Sequence, residues 1–243
     1  MKWKTSISTK KDGQVYIRGK SLSKMVEEFS FADAIFFILS GKMPSASESK
    51  LFNAILISSI EHGVETPSAY VARTVASTGN SVNAALAAGV LTLGEHHGGA
   101  GEGAAKLLGS GKSAKEIVAS AIKNKERLPG YGHKIYKDAD PRAAALLKMA
   151  DKLKLSGKYV KLAQDIQKEL KTQSGKELPL NIDGAQAALL LEIGFDWGLI
   201  KSVFILSRLP GLIAHSHEEM TKEKPYRRFE EEDVEYEGPK LEK

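Results

Sequence analysis

Two histidine-bearing, glycine-rich segments carry the residue types that proton-transfer chemistry needs. In the first, His97 is followed by two glycines within Gly94-Glu-His-His-Gly-Gly-Ala-Gly-Glu-Gly103, just before a predicted helix. Glycine lets a ligand or another backbone segment approach closely, and a neutral imidazole there can donate a hydrogen bond to a developing oxyanion. The alternative is a tight turn between helices in which His97 has only a structural partner. Spacing alone leaves both open.

The second histidine, His133, lies in Leu128-Pro-Gly-Tyr-Gly-His-Lys134, ahead of Asp140-Pro-Arg142. Proline is typical of the first turn of a helix, so Arg142 is predicted in that turn, within reach of the loop. A guanidinium binds a carboxylate through two parallel hydrogen bonds, which makes Arg142 a candidate clamp for an acidic substrate. An arginine that only ties down the loop is the equal alternative.

Asp183 and Arg208 are the other two candidates that the residues themselves suggest. Asp183 lies in Asn181-Ile-Asp-Gly184, which opens an apolar helix. Its carboxylate is either a general base aimed at a substrate or the N-cap of that helix. Arg208 interrupts an apolar helical stretch. Because an unpaired buried charge is costly, it requires either a structural acid or an anionic ligand.

Metal and nucleotide sites are not predicted. Glu95-His96-His97 and His215-Ser-His217 lack the His-x-x-x-His spacing that places two ligands on one helix face. Gly109-Ser-Gly-Lys-Ser113 is similar to the end of a phosphate-binding loop, but Lys106 stands where that motif requires its first glycine. The segment is predicted to be a turn between helices, and no ATP-binding motif is left.

Helices are predicted to position all of these residues. Residues 3–18 alternate around Asp12-Gly13, a strong hairpin signal. Ser45 with Glu48 and Ser113 with Glu116 form capping boxes. The fold class is therefore all-α with one short N-terminal β-hairpin. Further helices are predicted near 68–79, 81–93, 114–125, 141–152, 158–172, 184–193, 198–206 and 211–221.

Composition bounds the class of protein. The chain has 243 residues, 42% of them hydrophobic, which is enough to bury a core and excludes a disordered or fibrous protein. It has no cysteine, which excludes disulfides, cysteine-ligated zinc and a thiol nucleophile. The net charge of +5 comes from basic residues interleaved with acids, which is typical of solvated faces and suits an anionic small substrate rather than nucleic acid.

Targeting and membrane signals are not expected either. The N-terminal residues lack the apolar region of a signal peptide. The most apolar stretches, Ala32–Leu39 and Ala185–Ile193, are shorter than the ~20 residues that cross a bilayer. A cytoplasmic protein with no membrane partner is therefore expected.

Together, the order and spacing of these segments resemble the citrate synthase superfamily over about residues 20–240. The resemblance implies an all-α fold whose large and small helical domains close over a cleft. The large domain would comprise 1–98 and 187–243, and the small domain 99–186. The motifs that carry the resemblance are Ala72-Arg-Thr-Val-Ala-Ser-Thr78, His97-Gly-Gly-Ala100, Gly130-Tyr-Gly-His133, Asp140-Pro-Arg-Ala143, Asn181-Ile-Asp183 and Arg208 with Gly211 and His215.

The resemblance also implies a catalytic role for three residues. His97 would hydrogen-bond the thioester oxygen of acetyl-CoA and stabilise its enol. Asp183 would exchange the proton at the acetyl methyl carbon. His133 would hold the oxygen at the carbon that is joined or cleaved. An α-proton of a thioester is a poor acid, so a donor and a base must work together.

Substrate binding is likewise implied by the resemblance. Arg142, Arg208 and Arg227 would bind carboxylates, and His62 would help to hold oxaloacetate. In a dimer or tetramer, Arg227 would complete the site of the neighbouring subunit, with Arg228 as the alternative. A coenzyme A thioester would be bound as substrate, with no permanently bound cofactor, along Leu128, Pro129, Gly130, Tyr131 and Gly132.

Within the superfamily the chain resembles short citryl-CoA lyases and the C-terminal lyase module of ATP-citrate lyase. It opens directly at the hairpin, Gly184 follows Asp183 where synthases usually have an aromatic residue, and Gly101 stands where they commonly have asparagine. Pro67-Ser68 is also lyase-like and shifts the spacing after His62 by one residue. His97, in contrast, is present as in synthases and is missing from the ATP-citrate lyase module.

The expected activity is therefore cleavage of citryl-CoA to acetyl-CoA and oxaloacetate. A separate citryl-CoA synthetase would be a partner if citrate must first be activated. The alternatives are a citrate synthase that makes citrate from acetyl-CoA and oxaloacetate, a non-catalytic CoA-binding subunit of a lyase assembly, and a metal-dependent hydrolase.

Overall fold

The computed structural model describes residues 2–133, 136 and 139–240, which are helical apart from loops and a small N-terminal sheet. The strands are β1 (Ser8–Lys11), β2 (Gln14–Ile17) and β3 (Lys20–Ser21). The predicted all-α fold with an N-terminal hairpin is confirmed. The helices are α1 (Leu22–Glu28), α2 (Phe31–Ser40), α3 (Ala46–Ser58), α4 (Pro67–Ser77), α5 (Val82–Leu91), α6 (Ala100–Leu108), α7 (Ala114–Asn124), α8 (Pro141–Lys152), α9 (Lys158–Ser174), α10 (Ile182–Glu192) and α11 (Ile200–Lys222).

The hairpin forms where its turn residues predict it. β1 and β2 pair antiparallel and bring Lys11 opposite Gln14. Asp12 and Gly13 have φ angles of 50° and 74°, and a type I′ turn requires positive φ at both central residues. β3 pairs antiparallel with β2, which adds a short third strand that the sequence did not predict.

The chain divides into two compact units. Unit 1 comprises Met1–Ile60 and Gly94–Ser207, and unit 2 comprises Glu61–Leu93 and Arg208–Lys243. The predicted large domain, 1–98 with 187–243, and the predicted small domain, 99–186, stay a prediction.

Helix α10 is the centre of unit 1. Every residue from Ala185 to Leu190 is buried, and the helix contacts α3, α6, α8 and α9. A helix that is apolar all round its circumference is stable only when neighbours cover every face. The start of α10, which carries Asp183, is therefore fixed in the middle of the packed unit.

Both predicted capping boxes are present. The Ser45 hydroxyl accepts from the Glu48 N–H and the Glu48 carboxylate accepts from the Ser45 N–H; Ser113 and Glu116 make the same exchange. Since α6 ends at Leu108 and Ser113 caps α7, the glycine-rich segment between them is the predicted turn between helices.

The two helices predicted at 198–206 and 211–221 are one. Helix α11 continues through Pro210, although proline removes one backbone hydrogen bond from a helix. The helical run Trp197–Lys222 is long and apolar enough to cross a bilayer by length and composition alone, so the expectation that every apolar stretch is too short is wrong. Core helices of soluble proteins meet the same criterion, and this run carries the buried charges of Arg208 and Glu219.

Unit 2 has its own small core, built mainly on the contact between α4 and α5. A Cβ atom at Gly89 would lie 2.9 Å from the Ser68 carbonyl oxygen and 3.1 Å from the Ala72 Cβ atom. Glycine is therefore required for these two helices to approach as closely as they do. The buried apolar residues are Ala69, Ala72 and Leu212, with Leu86 and Val90 packed against them.

Candidate active site

Two of the predicted site segments are joined by backbone hydrogen bonds in unit 1. The Gly132 N–H donates to the Pro179 carbonyl oxygen over 2.8 Å, and the Asn181 N–H donates to that of Gly130 over 3.0 Å. Between them, Tyr131 and Leu180 form an isolated antiparallel bridge. We name this pairing of residues 130–132 with 179–181 the clasp. It ties the segment that leads to His133 to the segment that leads to Asp183.

The clasp depends on two glycines that touch. Gly130 has a φ of 87°, and a Cβ atom on it would lie 2.8 Å from the Gly184 Cα atom. In return, a Cβ atom on Gly184 would lie 2.5 Å from the Gly130 carbonyl oxygen and 2.6 Å from a Leu180 methyl carbon. These distances are shorter than carbon contacts allow. The glycine after Asp183, which the sequence associated with lyases, is therefore also a packing requirement.

Asn181, and not Asp183, is the N-cap of α10. The Asn181 side-chain oxygen accepts hydrogen bonds from the N–H groups of Asp183 (3.1 Å) and Gly184 (3.2 Å), and its amide group donates to the Gly132 carbonyl oxygen over 2.9 Å. The alternative in which Asp183 is the N-cap is therefore wrong. Asp183 lies half-buried in the first turn of α10. Because Asn181 is the N-cap, the general-base interpretation of Asp183 stays a prediction.

Asp140 connects the predicted carboxylate clamp to the same helix. Its buried carboxylate accepts from the Arg142 side chain at Nε (3.1 Å) and Nη2 (2.9 Å) and from the Arg142 N–H (3.0 Å). It also accepts from the Ile182 N–H, the first residue of α10, over 3.0 Å. Burial acts to raise the pKa of Asp140, but the hydrogen bonds from Arg142 and Ile182 bring it below its ordinary value. One carboxylate thus fixes Arg142 relative to Asp183.

Arg142 therefore has a structural partner. One edge of its guanidinium, Nε with Nη2, is engaged by Asp140, while a quarter of the side chain is exposed to solvent (26%). The structure therefore contains the alternative in which Arg142 holds the loop in place, through its pair with Asp140. Carboxylate binding by Arg142 stays a prediction.

The ring of His133 is held in one tautomer. Its Nδ1 atom accepts the Tyr136 N–H over 3.2 Å, and the two rings lie 4.7 Å apart, centroid to centroid. Because Nδ1 is the acceptor, the proton of the neutral imidazole is on Nε2. His133 can therefore donate from Nε2 to an oxygen atom. Lys134, part of the quoted loop, lies outside the described residues.

His97 lies half-buried in the turn before α6. Gly98 has a φ of 89°, and a Cβ atom there would lie 2.7 Å from the Phe204 ring. A Cβ atom at Gly99, the N-cap of α6, would collide with the Glu95 carbonyl oxygen. At the second residue of α6, a Cβ atom on Gly101 would lie 3.9 Å from the Asp183 carbonyl oxygen. Helix α6, which His97 precedes, therefore meets the start of α10, which carries Asp183.

The predicted CoA-binding loop turns most of its side chains inward. Leu128 packs against the core of unit 1. Pro129 packs against α6 at Gly103, where an added Cβ atom would lie only 3.0 Å from the Pro129 ring. The Tyr131 hydroxyl donates to the Ala163 carbonyl oxygen over 2.9 Å, and burial raises the pKa of that hydroxyl. If this loop binds coenzyme A, its backbone must supply the polar contacts.

The remaining predicted residues, His62, Arg208 and Arg227, belong to unit 2. His62 is exposed, and its N–H donates to the Glu61 carboxylate over 2.8 Å. Arg208 is 4% exposed. Arg227 makes a two-fold pair with Glu219, from Nε and Nη2 over 2.8 Å each, which raises the pKa of the Arg227 guanidinium. Within the single chain, therefore, Arg227 has a structural acid beside it, and its role in a neighbouring subunit stays a prediction.

Comparison with known proteins identifies the family. Residues 21–228, most of the chain, match the family of the citrate synthase C-terminal domain. The chain belongs to the citrate synthase family. Citrate synthase 2 of Bacillus subtilis is 32% identical over 194 residues, which is 78% of this chain and 52% of that protein. The chain spans about half the length of the curated relatives it matches.

Two solved structures are similar to the chain over nearly its whole length. The citryl-CoA lyase of Hydrogenobacter thermophilus superposes with a TM-score of 0.95 and is 46% identical, over 99% of this chain and 96% of that one. The ATP citrate lyase of Methanosaeta concilii, solved with (3S)-citryl-CoA, has a TM-score of 0.83 at 22% identity, over 99% of this chain and 42% of that one. At 22% identity, the similarity to the ATP citrate lyase shows that the two proteins share a fold.

Several structural residues of this family member were not predicted. Asp140 directly precedes Pro141, the first residue of α8, and a helix N-cap is expected at that position, so the local sequence does carry a signal for it. Asn181 is likewise a favoured N-cap residue type and directly precedes the helix that carries Asp183. Arg73 and Glu219 are buried partners from distant parts of the chain, and no local pattern announces them.

A metal ion has no evident place among the described residues. In those ranges no group of three or more histidine, aspartate or glutamate side chains converges as ligands would. The paired histidines near residue 96 and near residue 216 do not form such a group.

Proposed function

We propose that this protein is a citryl-CoA lyase that cleaves citryl-CoA to acetyl-CoA and oxaloacetate. The observation that carries the proposal is the likeness to the Hydrogenobacter thermophilus citryl-CoA lyase, with 46% identity over nearly the whole of both chains. Curated relatives in the same family are citrate synthases and share only about half their length with this chain.

The unit 1 residues suit the bond-breaking step. As the carbon–carbon bond breaks, its electron pair moves onto the thioester, and the charge collects on the thioester oxygen as an enolate. A neutral imidazole donor, the role we assign to His97, stabilises that oxygen. His133, with its proton on Nε2, holds the oxygen of the citryl hydroxyl group, which releases its proton as it becomes the carbonyl group. Asp183 enters the step protonated and delivers its proton to the carbon that becomes the acetyl methyl group. The proton released by the hydroxyl group balances the one that Asp183 gives up.

Substrate recognition completes the proposal. Arg142, Arg208 and Arg227 bind carboxylates of the citryl group, with His62 beside them, and residues 128–132 bind coenzyme A mainly through their backbone. The protein acts in the cytoplasm as a homo-oligomer in which Arg227 completes the neighbouring site. A separate synthetase supplies citryl-CoA. Closure over the substrate would exclude water, which protects the enolate.

Citrate synthase activity is the second candidate. The curated relatives favour it, and so does His97, the histidine that resembles the synthase pattern. Both reactions share the carbon–carbon step and differ in whether citryl-CoA is hydrolysed. Release of free CoA thiol from citryl-CoA therefore separates them.

The substitution Asp183→Asn tests whether the protein is an enzyme with this acid at its centre. We expect oxaloacetate release from citryl-CoA to fall by a factor of about 10² to 10⁴, the usual contribution of a general acid–base. Binding of CoA thioesters, measured by calorimetry, should stay within a few-fold of wild type, because Asn181 still caps α10. The matched control is Asp165→Asn, an exposed carboxylate on α9, which should be as active as wild type.

The contrary outcomes are equally specific. Turnover that survives Asp183→Asn removes this residue from the mechanism. A wild-type protein that binds CoA but never releases oxaloacetate is a binding subunit. A strong chelator should leave activity unchanged, and loss of activity would favour a metal-dependent hydrolase.

A further inference from the structure

Unit 2 contains a buried cation that the proposed mechanism does not use. Arg73, on α4, has a side chain only 7% exposed and meets three carboxylates. Its Nη1 donates to Glu218 over 2.6 Å, its Nε lies 2.7 Å from Glu219, and its Nη2 lies 3.5 Å from Glu223. Burying a guanidinium is costly, and one carboxylate is enough to neutralise it. Three partners indicate that Arg73 organises the groups around it.

One branch from Arg73 leads to Arg227. Glu219, whose side chain is fully buried, forms an ion pair with Arg73. Its carboxylate also accepts hydrogen bonds from Nε and Nη2 of Arg227 over 2.8 Å each. The backbone N–H of Arg227 donates to the Ser77 hydroxyl, at the end of the same helix α4, over 3.1 Å. With Nε and Nη2 engaged, the other edge of the planar guanidinium points away from Glu219. The Arg227 side chain, 35% exposed, is thus held in one orientation.

The other branch leads to His62. Nη1 of Arg73 lies 3.3 Å from Nδ1 of His215, and since Arg73 can only donate, Nδ1 is the acceptor. The neutral ring then carries its proton on Nε2, which donates to Glu61 over 3.1 Å. The same Glu61 oxygen accepts the N–H groups of His62 (2.8 Å) and Gly63 (2.6 Å). Arg73 therefore sets the tautomer that fixes the turn bearing His62.

We propose that Arg73 is a positioning residue that holds Arg227, through Glu219, and His62, through His215 and Glu61, in the geometry that binds the substrate carboxylates. The proposal rests on the proposed function, because it assumes that Arg227 and His62 contact the citryl group. It gives unit 2 one buried centre from which both residues are oriented.

The substitution Arg73→Gln tests this with a readout that a merely structural residue would not move. We expect the KM for citryl-CoA to rise about ten-fold or more while kcat changes by less than about three-fold, because the groups it positions bind rather than transfer protons. Arg73→Lys keeps the positive charge but lacks the planar guanidinium with its several donors, so its KM should lie between those of wild type and Arg73→Gln. Glu218→Gln, which removes a half-exposed partner of Arg73, is the matched control and should leave KM within about two-fold.

Two further measurements keep the proposal testable if Arg73→Gln folds poorly or the activity differs from expectation. Glu61→Gln alters only the exposed end of the second branch and should also raise KM. Independently of activity, amide hydrogen exchange at His62 and Gly63 should quicken in Arg73→Gln and in Glu61→Gln but not in Glu218→Gln.

The proposal is overturned if folded Arg73→Gln keeps the wild-type KM, or if exchange at His62 and Gly63 is unchanged. It is also overturned if Arg73→Gln is fully additive with both Arg227→Gln and His62→Asn in double-mutant cycles, since residues that act through one another do not add. A wild-type protein that does not cleave citryl-CoA defeats the proposed function instead, and the exchange measurement then decides the positioning role alone.

Discussion

The two units hold their candidate residues by different physical means. In unit 1 the clasp, the Asn181 cap and the touching glycines Gly130 and Gly184 fix Asp183 and His133 mostly through the backbone. In unit 2 a network of charged side chains around Arg73 and Glu219 fixes Arg227 and the turn at His62. Backbone packing tolerates little displacement, whereas ion pairs tolerate small movements and respond to pH.

This difference fits a division of labour. Proton transfer requires groups within hydrogen-bond distance of the reacting atoms, and the backbone-held unit 1 carries the residues proposed for it. Binding a carboxylate requires fixed cations, and unit 2 holds one of the proposed cations, Arg227, by ion pairs with carboxylates. The comparison predicts that damage to unit 1 lowers stability and kcat together, while damage to unit 2 acts mainly on substrate binding.

The largest effect on stability is expected at Asp140, where unit 1 relies on a charged side-chain pair rather than on backbone packing. Asp140→Asn removes the buried negative charge that pairs with Arg142, while the Ile182 N–H still has an acceptor. Because the Arg142 side chain is partly exposed, the loss should be about 2–3 kcal/mol, at the low end of the cost of breaking a buried pair from one side. Denaturant unfolding should show that loss in the free energy of unfolding. Asp165→Asn, which breaks an exposed pair with Lys168, should change it by less than about 0.5 kcal/mol. Equal effects of the two would show that Asp140 is not a structural centre.

A matched pair of glycines sharpens the case for backbone packing. Gly184→Ala forces a Cβ atom against the Gly130 carbonyl oxygen and should lower the free energy of unfolding by about 1–3 kcal/mol. Gly101→Ala, also early in a helix, meets only an ordinary contact at 3.4 Å from Ile200 and should be neutral or stabilise by up to ~1 kcal/mol. Thermal unfolding of both variants checks this. If Gly184→Ala is as stable as Gly101→Ala, the clasp is not close-packed.

The smallest effect is expected in the pH dependence of unit 2. Partial burial acts to raise the pKa of Glu61, but hydrogen bonds from His215 and from the His62 and Gly63 N–H groups bring it below 4.5. A carboxyl whose pKa is lower in the folded state stabilises the fold above its unfolded pKa, and this contribution is lost as pH falls through the folded value. Glu61→Gln should thus cost under ~1 kcal/mol at pH 7, since solvent screens the half-exposed pair.

The free energy of unfolding of Glu61→Gln, measured as a function of pH, can contradict this expectation. The stability difference between wild type and Glu61→Gln should shrink toward zero as pH is lowered from about 5 to below about 3. A difference that stays constant over that range would mean that Glu61 stabilises the turn by shape rather than by charge.

The same contrast explains what the sequence could predict. Local patterns were sufficient for the Asp12-Gly13 hairpin, the capping boxes at Ser45 and Ser113, and the all-α fold, because each is decided within a few residues. The break predicted at Pro210 was wrong, since packing over the rest of α11 outweighs one lost hydrogen bond. The motifs also placed His133 and Asp183 on segments that the structure does tie together.

Long-range charge pairs could not be predicted in the same way. Arg73 and Glu218 are 145 residues apart in sequence, and many acids precede and follow the correct partners. Asp140 could be predicted in part. Its pairing with Arg142 is local, but its hydrogen bond to Ile182 spans 42 residues and has no local signal. The candidate residues of unit 1 could be proposed from motifs. The centre that organises unit 2 required the structure.

The most direct test of the account is a time course on citryl-CoA that follows oxaloacetate, by coupled reduction, and free CoA thiol together. The chain has no cysteine and adds no thiol signal of its own. We predict that oxaloacetate appears without thiol, which means lyase activity. Thiol and citrate with little oxaloacetate would contradict the account and identify the hydrolytic half-reaction of a citrate synthase.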